Sequence, residues 1–518
     1  MGREKSCLLR DGIFYIDFFL KKCYTSNSIF LYVDQGGKML FNSYEFIFLF
    51  LPITLIIYFT LNRFNKNRLA KGWLVLASLY FYSYFNKKYL ILIVASIGVN
   101  YFVGKLLEEK KDVVVRKVLL ICGVVFNVGM IGYYKYYDFF VENINYIFKT
   151  NLPLLHILLP LGISFFTFQQ LSFVIDSYYR KNLRYDFLSY SLFVTFFPQL
   201  IAGPIVLPTE MLPQFESEEN KKINWANMNR GLYIFSIGLA KKVIIADSIA
   251  SFANAGFDMM ESLNFVEAWL TSISYTLQLY FDFSGYCDMA IGIGLMFNIL
   301  LPINFNSPYK STNIQEFWQK WHMTLGRFLA NYLYIPLGGN RKGEKRTLLN
   351  LLIVFLVSGI WHGAGWNFII WGMLHGICIL IHRVWKNSKR KMNKFIGWLI
   401  TMNLVNIFWV FFRAKDLASA FKVIKGMFDI SDLMSINLTL KESKDFFDIV
   451  TDLTNGLGNL QNIIIIPLAF IILFFLKNSM ERCRKFKNNL ISYVEIIIYF
   501  CTSVLFLSGM STFLYFNF

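Results

Sequence analysis

The sequence predicts an all-α membrane protein that crosses a lipid bilayer many times. Hydrophobic residues make up 56% of the 518 residues and charged residues only 16%, against about 25% charged in an average soluble domain. Many of the 55 Phe and 29 Tyr residues stand at the ends of apolar runs, where aromatic rings favour the headgroup level. Helices suit these runs, because a helix satisfies its own backbone hydrogen bonds in lipid.

The apolar runs predict about eleven to fourteen membrane segments. A helix of ~20 residues crosses the ~30 Å hydrocarbon core. Suitable stretches lie near residues 41–61, 89–107, 115–134, 154–175, 230–246, 265–300, 347–360, 361–384, 396–413, 461–476 and 493–513. Shorter stretches lie near 72–85, 190–207 and 325–337, and we expect some of these to enter the membrane and return.

Basic residues between the runs predict the orientation, since cytoplasmic loops carry an excess of Lys and Arg. The first three loops contain, in turn, Arg63, Lys66, Arg68 and Lys71; only Lys87 and Lys88; then Lys105, Lys110, Lys111, Arg116 and Lys117. This alternation places the N-terminus of the first span outside and the basic segment 306–346 in the cytoplasm. Orienting loops that face anionic lipids explain the net charge of +18, so a nucleic-acid partner is not expected.

The first 38 residues do not resemble the rest. Residues 12–20 are apolar, but they carry Asp17 and are too short to span a bilayer. The residues Gln-Gly-Gly-Lys-Met at 35–39 are what a purine-rich ribosome-binding site followed by a start codon would encode. We therefore expect residues 1–38 to be a non-native extension and translation to start at Met39, which mass spectrometry of the native N-terminus tests.

Neither a metal site nor a bound cofactor is predicted. The seven cysteines form no CxxC pair and mostly fall inside apolar runs, which is typical of packed thiols. The five histidines are His156, His322, His362, His375 and His382. They show no HxxxH or HExxH spacing, and carboxylates or thiols suited to a metal site do not stand beside them.

Gln278, Asp282 and Tyr286 recur four residues apart inside an apolar run. This spacing places them on one helix face, turned towards partners in the bundle. Polar groups in membrane segments are costly and often functional, so the three are candidates for substrate binding. A polar network that fixes helix packing is the simpler alternative. Ser284 and Gly285 predict a local break in the same helix.

His362 lies among small and aromatic residues, in the run Ser-Gly-Ile-Trp-His-Gly-Ala-Gly-Trp-Asn that ends at Asn367. Small residues let a ligand or backbone approach closely, and aromatic residues such as Trp361 can wall a narrow tunnel. Burial favours the neutral imidazole, which can accept a proton from an attacking hydroxyl. From these residues alone, a satisfied core histidine remains the alternative.

Ordered motifs run through residues 39–415. They are SFFTFQ at 164–169, FPQLIAGP at 197–204, KKVIIAD at 241–247, YFDFSGY at 280–286, NFNSPY at 304–309, IQEFWQKWHMTL at 314–325, YLYIPLGGNR at 332–341 and WHG at 361–363. Together they resemble the membrane-bound O-acyltransferase (MBOAT) superfamily, most closely its alginate and peptidoglycan O-acetylation branch. The resemblance implies a family core at 39–415, followed over 416–518 by a polar connection and C-terminal transmembrane helices.

The resemblance also implies the fold and the site: a ring of tilted helices around a central funnel, with His362 at its bottom as the essential histidine. His322 matches a second histidine on the cytoplasmic side. Acetyl-CoA would enter from the cytoplasm, where basic residues such as Arg341 and Lys342 attract its phosphates. Asn367 or a backbone N–H would stabilise the oxyanion.

The acceptor implied by the resemblance is a hydroxyl outside the cell. The family implies an extracellular partner of esterase-like hydrolase fold, which places the acetyl group on cell-surface polysaccharide. Two other functions stay open. One is the related D-alanyl transfer to teichoic acid from a carrier protein. The other is transport without chemistry, which intramembrane polar residues also serve, although no internal repeat supports it.

Overall fold

The computed structural model describes residues 39–179, 185–388, 391–430, 444–453, 459–507 and 513–514. These residues contain helices and no β-strand, which confirms the all-α class. The chain divides into two compact units, Met1–Leu40 and Phe41–Phe518, and every helix named below belongs to the second. The predicted extension at 1–38 lies outside the described residues, and the division at 415/416 stays a prediction.

Six helices form the first part of the bundle. They are α1 (Leu51–Arg63), α2 (Asn67–Ser83), α3 (Lys88–Glu109), α4 (Val113–Ile131), α5 (Tyr137–Phe148) and α6 (Ile163–Tyr178). A π-helical turn at Phe46–Phe50 precedes α1, and another at Gly132–Tyr136 joins α4 to α5. Such turns are rare and frequently stand at functional sites.

The helix predicted over 154–175 begins later than expected. Residues 151–160 are not helical, because this stretch contains two prolines, Pro153 and Pro160, whose nitrogens cannot donate a helical hydrogen bond. Gly162 then turns the chain into α6 with a φ of +71°, a conformation that glycine adopts without strain.

Eight helices form the middle of the chain. They are α7 (Phe187–Thr195), α8 (Phe197–Leu200), α9 (Pro208–Glu216), α10 (Trp225–Ala240), α11 (Asp247–Asn254), α12 (Phe265–Met296), α13 (Ile314–Lys320) and α14 (Met323–Leu329). π-helical turns lie at Lys241–Ala246, Ala255–Met259 and Ala330–Tyr334.

The segment 187–216 enters the bundle and returns to its starting point. Lys71 Nζ donates to the hydroxyl of Ser189 at 3.0 Å and to the carboxylate of Glu216 at 2.6 Å. The Ser189 hydroxyl also donates to Glu216 at 2.6 Å. Both ends of the segment therefore meet at one lysine, while its entry into the membrane stays a prediction.

Helix α12 crosses the centre of the bundle as one continuous helix of 32 residues, about 48 Å long at 1.5 Å per residue. The break predicted at Ser284 and Gly285 is therefore wrong. A Cβ on Gly285 would lie 2.8 Å from the carbonyl oxygen of Gly238 in α10. Glycine at this position permits backbone contact between the two helices, the usual role of small residues in membrane bundles.

The last part of the bundle contains eight helices among the described residues. They are α15 (Glu344–His362), α16 (Trp366–Asn387), α17 (Lys394–Arg413), α18 (Leu417–Phe428), α19 (Lys444–Leu453), α20 (Asn459–Phe475), α21 (Ser479–Arg484) and α22 (Leu490–Leu505). Gly359 of α15 and Gly372 of α16 face each other so closely that a Cβ on Gly372 would lie 2.5 Å from the carbonyl oxygen of Phe355. This contact sets the position of the end of α15.

Five helical segments of the described part are long and apolar enough to cross a membrane. They are Phe46–Arg63, Lys88–Glu109, Val113–Phe148, Trp366–Asn387 and Lys394–Arg413. Two shorter apolar helices lie at Ile464–Phe475 and Leu490–Leu505. The five segments agree with a polytopic membrane protein, while the total of eleven to fourteen crossings stays a prediction.

Candidate active site

His362 is the last residue of α15 and lies inside the protein, with an exposed fraction of 3%. Its Nδ1 lies 2.7 Å from the carbonyl oxygen of Ser358, one turn earlier in the helix. A carbonyl oxygen only accepts hydrogen bonds, so Nδ1 carries a hydrogen, and in the neutral imidazole Nε2 is the unprotonated nitrogen. The predicted boundary put His362 at the start of the next segment. It ends α15 instead, because Gly363 adopts an extended backbone.

His322 approaches His362 from a separate part of the chain. It lies between α13 and α14 with a φ of +46°, which is uncommon for a residue other than glycine. Backbone strain of this kind concentrates at functional sites. The residue is 1% exposed, and the centroids of the two imidazole rings are 6.4 Å apart. The structure thus brings the two predicted histidines together.

Asn304 determines the tautomer of His322. Its Oδ1 accepts hydrogen bonds from the backbone N–H of Thr324 at 3.2 Å and from the Thr324 hydroxyl at 2.9 Å. His322 Nδ1 lies 3.1 Å from the same oxygen and is therefore the donor, which leaves Nε2 unprotonated. Sequence reasoning gave Asn304 no role, although it opens the NFNSPY motif.

Aromatic side chains surround the two histidines. The ring centroids close to His362 include those of Trp361 at 4.7 Å, Trp371 at 4.9 Å and Phe412 at 5.2 Å. On the other side, Phe283 of α12 lies 4.9 Å from His322. Trp361, predicted to wall the site, contacts both histidines, since its centroid is also 6.1 Å from that of His322. An enclosure of this kind limits water and strengthens electrostatic interactions inside it.

His375 lies behind His362, with Trp371 in contact with both rings. The centroids of His375 and Trp371 are 5.0 Å apart. Nδ1 of His375 accepts a hydrogen bond from the indole N–H of Trp318 at 3.2 Å, so a neutral His375 carries its hydrogen on Nε2. This tautomer is the opposite of the one in His362, and the unprotonated Nδ1 of His375 is already occupied by the Trp318 N–H.

Lys135 and Tyr136 bind the end of α15, a contact that the sequence did not reveal. Lys135 Nζ donates to the carbonyl oxygens of Trp361 at 2.6 Å and His362 at 3.0 Å. The Tyr136 hydroxyl donates to the carbonyl oxygen of Ile360. One feature of the sequence could have pointed to Lys135. It is a lysine directly after an apolar run, whereas most lysines of this sequence stand in basic clusters.

Asp282 lies in a buried ion pair. Its carboxylate is 2.6 Å from Lys242 Nζ and accepts a hydrogen bond from the backbone N–H of Leu514 at 3.0 Å. Tyr286, one turn further along the same face, packs against the ring of Phe41 at 4.9 Å. Both contacts join α12 to other parts of the bundle, which favours the alternative of a packing network for this face.

Gln278 completes the predicted polar face of α12 and is also buried. The contact that α12 makes with the histidine pair comes from Phe283, next in sequence to Asp282. The structure therefore places the histidines against a different side chain of α12 from the ones predicted to bind substrate.

Asn367 caps a neighbouring helix. Its amide nitrogen donates to the carbonyl oxygens of Phe411 at 3.3 Å and Ala414 at 2.8 Å, at the end of α17. An amide group has two hydrogens, and both are used in these two bonds. The residue lies close to His362 in sequence, but its donors point to α17.

Arg341 and Lys342 lie on the surface, in the turns just before α15. Helix α15 has 19 residues and is therefore about 28 Å long, so these two residues stand a helix length away from His362. In the described part of the chain, His, Cys, Asp and Glu side chains do not form a group of three that could hold a metal ion.

The arrangement is suited to proton transfer in an enclosed space. The two imidazoles lie close together with their ring planes at 76° to each other. In its neutral form each has Nε2 unprotonated, and each Nδ1 is held by an oxygen acceptor. A histidine oriented in this way can take a proton from a hydroxyl or return one to a leaving group.

Comparisons with known proteins agree with this chemistry. The model of the MBOAT, membrane-bound O-acyltransferase family matches residues 177–415. The peptidoglycan O-acetyltransferase of Helicobacter pylori is 48% identical over 515 residues, which cover 93% of this chain and 98% of that protein. The probable alginate O-acetylase AlgI of Pseudomonas aeruginosa is 39% identical over 414 residues, covering 77% of this chain and 78% of that protein.

A more distant relative is the teichoic acid D-alanyltransferase of Bacillus subtilis, which is 27% identical over 280 residues, covering 51% of this chain and 68% of that protein. The identity is lower and the aligned part shorter than for the two O-acetylation proteins. These similarities favour an enzyme over the transporter alternative. The chain belongs to the membrane-bound O-acyltransferase family and is a multi-pass membrane acyltransferase of the AlgI-like O-acetylation branch.

Proposed function

We propose that this acyltransferase takes an acetyl group from cytoplasmic acetyl-CoA and delivers it to a hydroxyl outside the membrane. The acceptor is a cell-surface polysaccharide, reached directly or through an extracellular partner protein of esterase-like fold. The names of the Helicobacter and Pseudomonas relatives support O-acetylation of a polysaccharide. The main observation in support of acyl transfer is the buried pair of His322 and His362, whose ring centroids are 6.4 Å apart.

In the proposed reaction, His362 Nε2 removes the proton from the acceptor hydroxyl as its oxygen attacks the thioester carbonyl. The C–S bond then breaks, and the proton passes to the departing thiolate of CoA. The products are an acetyl ester and free CoA, and His362 returns to its neutral form. His322, oriented by Asn304, positions the thioester from the cytoplasmic side.

Three predicted substrate-binding residues receive structural roles in this proposal. Asp282 is neutralised by Lys242, and Tyr286 packs against Phe41, so both stabilise the bundle around α12. Asn367 uses both amide hydrogens to cap α17, which leaves the oxyanion to another donor. Trp361 keeps its proposed role as a wall of the site.

The proposed donor is tested in inverted vesicles that contain the purified protein and an extracellular acceptor in the lumen. Radiolabelled acetyl-CoA supplied outside the vesicles should give labelled acceptor inside them, and vesicles with His362→Ala should remain unlabelled. The sidedness also tests the predicted orientation, with the N-terminus of the first span outside and the 306–346 segment in the cytoplasm.

The D-alanyl transfer alternative has its own outcome in the same vesicles. If label enters the lumen only when a carrier protein charged with D-alanine replaces acetyl-CoA, the donor proposal is wrong. The charged carrier protein is the control donor to include, because one relative, from Bacillus subtilis, is named as a D-alanyltransferase. His362 keeps its role as the base with either donor, because both reactions transfer an acyl group from a thioester to a hydroxyl.

A further inference from the structure

The end of α15 carries His362 and needs hydrogen-bond donors from elsewhere. The last carbonyl groups of an α-helix have no partner within the helix, and many helices supply one by a left-handed turn. Gly363 is extended instead, with a φ of −161°. The carbonyl oxygens of Ile360, Trp361 and His362 therefore depend on donors from another part of the chain.

The π-helical turn Gly132–Tyr136 provides these donors. Lys135 Nζ lies 2.6 Å from the Trp361 oxygen and 3.0 Å from the His362 oxygen, while the Tyr136 hydroxyl binds the Ile360 oxygen. A positive charge at the C-terminus of a helix also interacts favourably with the helix dipole. Two adjacent side chains thus hold three successive carbonyl groups of the histidine helix.

An ammonium group at the position of Lys135 costs free energy. This residue lies within the apolar segment Val113–Phe148 and is partly buried. Among the ion pairs of the described residues, none joins Lys135 to a carboxylate. An ammonium group in a membrane segment is costly and usually functional, and both hydrogen-bonding partners of this one belong to the site.

We propose that Lys135 is a positioning residue for acyl transfer, which fixes the end of α15 so that the imidazole of His362 keeps the orientation needed for proton removal. This inference rests on the proposed function, since it assumes that His362 is the base. His362 is the last helical residue of α15, so its backbone carbonyl is a point at which the helix end can be fixed, in addition to the contact between Gly359 and Gly372. Misplacement of a reacting group by about 1 Å can lower a rate by about 100-fold.

The test compares three variants in membranes: Lys135→Met, which removes the charge and the donors, Lys135→Arg, which keeps both, and Tyr136→Phe. We expect Lys135→Met to lower kcat by about 10- to 100-fold with an unchanged KM for the donor, and Lys135→Arg to recover most of kcat. Tyr136→Phe removes a bond at the same helix end, but at Ile360, and should lower kcat much less.

A double variant shows whether Lys135 acts through His362. In a His362→Ala background, Lys135→Met should cause no further loss of the residual rate, because a positioning residue has nothing left to position. A further loss of the same size as in the wild type would overturn the proposal, and so would an equal loss of kcat in Tyr136→Phe. Lys149→Met, at an exposed lysine, controls for general effects of removing a charge.

The outcomes separate this inference from the proposed function. Wild-type protein is assayed with acetyl-CoA and with the charged carrier protein, and the Lys135 variants are then measured with whichever donor it accepts. Full activity of His362→Ala would reject the proposed base, whatever the Lys135 variants show. Loss of kcat in Lys135→Met without rescue by Lys135→Arg, together with an equal fall in melting temperature for both, would reject the positioning role alone.

Discussion

At the scale of single residues, His362 combines burial with a defined tautomer. The bond from Nδ1 to the Ser358 carbonyl oxygen, 2.7 Å long, leaves Nε2 as the unprotonated nitrogen of the neutral imidazole. His375 is equally buried and packs on the same Trp371, but its Nδ1 accepts a bond from Trp318. Two histidines in similar surroundings therefore differ in the nitrogen that carries the hydrogen, and His362 presents the form suited to a base.

This difference predicts unequal effects of two alanine substitutions. His362→Ala should lower the rate of acyl transfer by about 10²–10⁴-fold, the usual contribution of a general base, while the protein still inserts into membranes. His375→Ala removes an imidazole of the same size from the same aromatic cluster and should retain much more activity. Transfer rates and melting temperatures of both purified variants check this, and a His362→Ala rate above about a tenth of wild type would contradict the assigned role.

At the scale of elements, the segment 187–216 depends on Lys71 for its two ends. Burial acts to raise the pKa of Glu216, but the hydrogen bonds from Lys71 and Ser189 outweigh it and hold the pKa of this carboxyl below its usual value. A carboxyl with a lowered pKa stabilises the folded state above the pKa of the unfolded chain, about 4.3 for Glu. The stabilisation is lost as the pH falls through the lower folded-state value.

The ion pair between Lys71 and Glu216 predicts a pH-dependent effect of Glu216→Gln on stability. The variant should melt at a lower temperature than the wild type at pH 7, and the difference should shrink as the pH approaches 3. Glu218→Gln is a suitable control. Glu218 is exposed, and it pairs with Lys221, three residues away, and not with Lys71. Thermal melts in detergent across this pH range measure the effect, and a constant difference at every pH would argue against the ion pair as its cause.

At the scale of the whole molecule, a basic surface cluster and the histidine site lie at opposite ends of α15. The four basic residues Arg341, Lys342, Lys345 and Arg346 are exposed, at the opposite end of that helix from His362. A surface cluster at this distance can attract a polyanionic donor without touching the reacting atoms. Recruitment and proton transfer should therefore respond to different substitutions.

Replacing all four basic residues with Gln should raise the donor KM and weaken its dependence on salt, with little change in kcat. The matched control neutralises four exposed lysines of other predicted cytoplasmic loops, namely Lys66, Lys110, Lys111 and Lys117. Initial rates over a range of donor and salt concentrations give both constants. Equal KM values for the two variants would show that the cluster before α15 has no special part in recruitment, and a change in kcat alone would indicate a disturbed loop.

The amino-acid pattern was enough to predict a helical membrane protein and an acyltransferase of this family. Hydrophobic runs predicted a helical membrane protein because the bilayer demands about 20 apolar residues per crossing, and the described helices agree. His322 and His362 were predicted from the motifs around them, and both lie within residues 177–415, which the family model matches. Their catalytic role stays a prediction. Local pattern was sufficient for long apolar helices such as Lys88–Glu109 and Lys394–Arg413, but it placed the start of α6 too early, at residues 151–160 that are not helical.

Which polar groups meet depends on the packing of distant helices. Asp282 and Lys242 are 40 positions apart and pair in the core, so a helix face that suggested substrate binding carries a packing contact. Lys135 reaches α15 across more than 220 residues of chain. The periodicity of a sequence shows which face of a helix is polar, but not which other helix supplies the partner. That choice follows from packing between distant segments, where contacts such as Gly238 against Gly285 determine which side chains can approach.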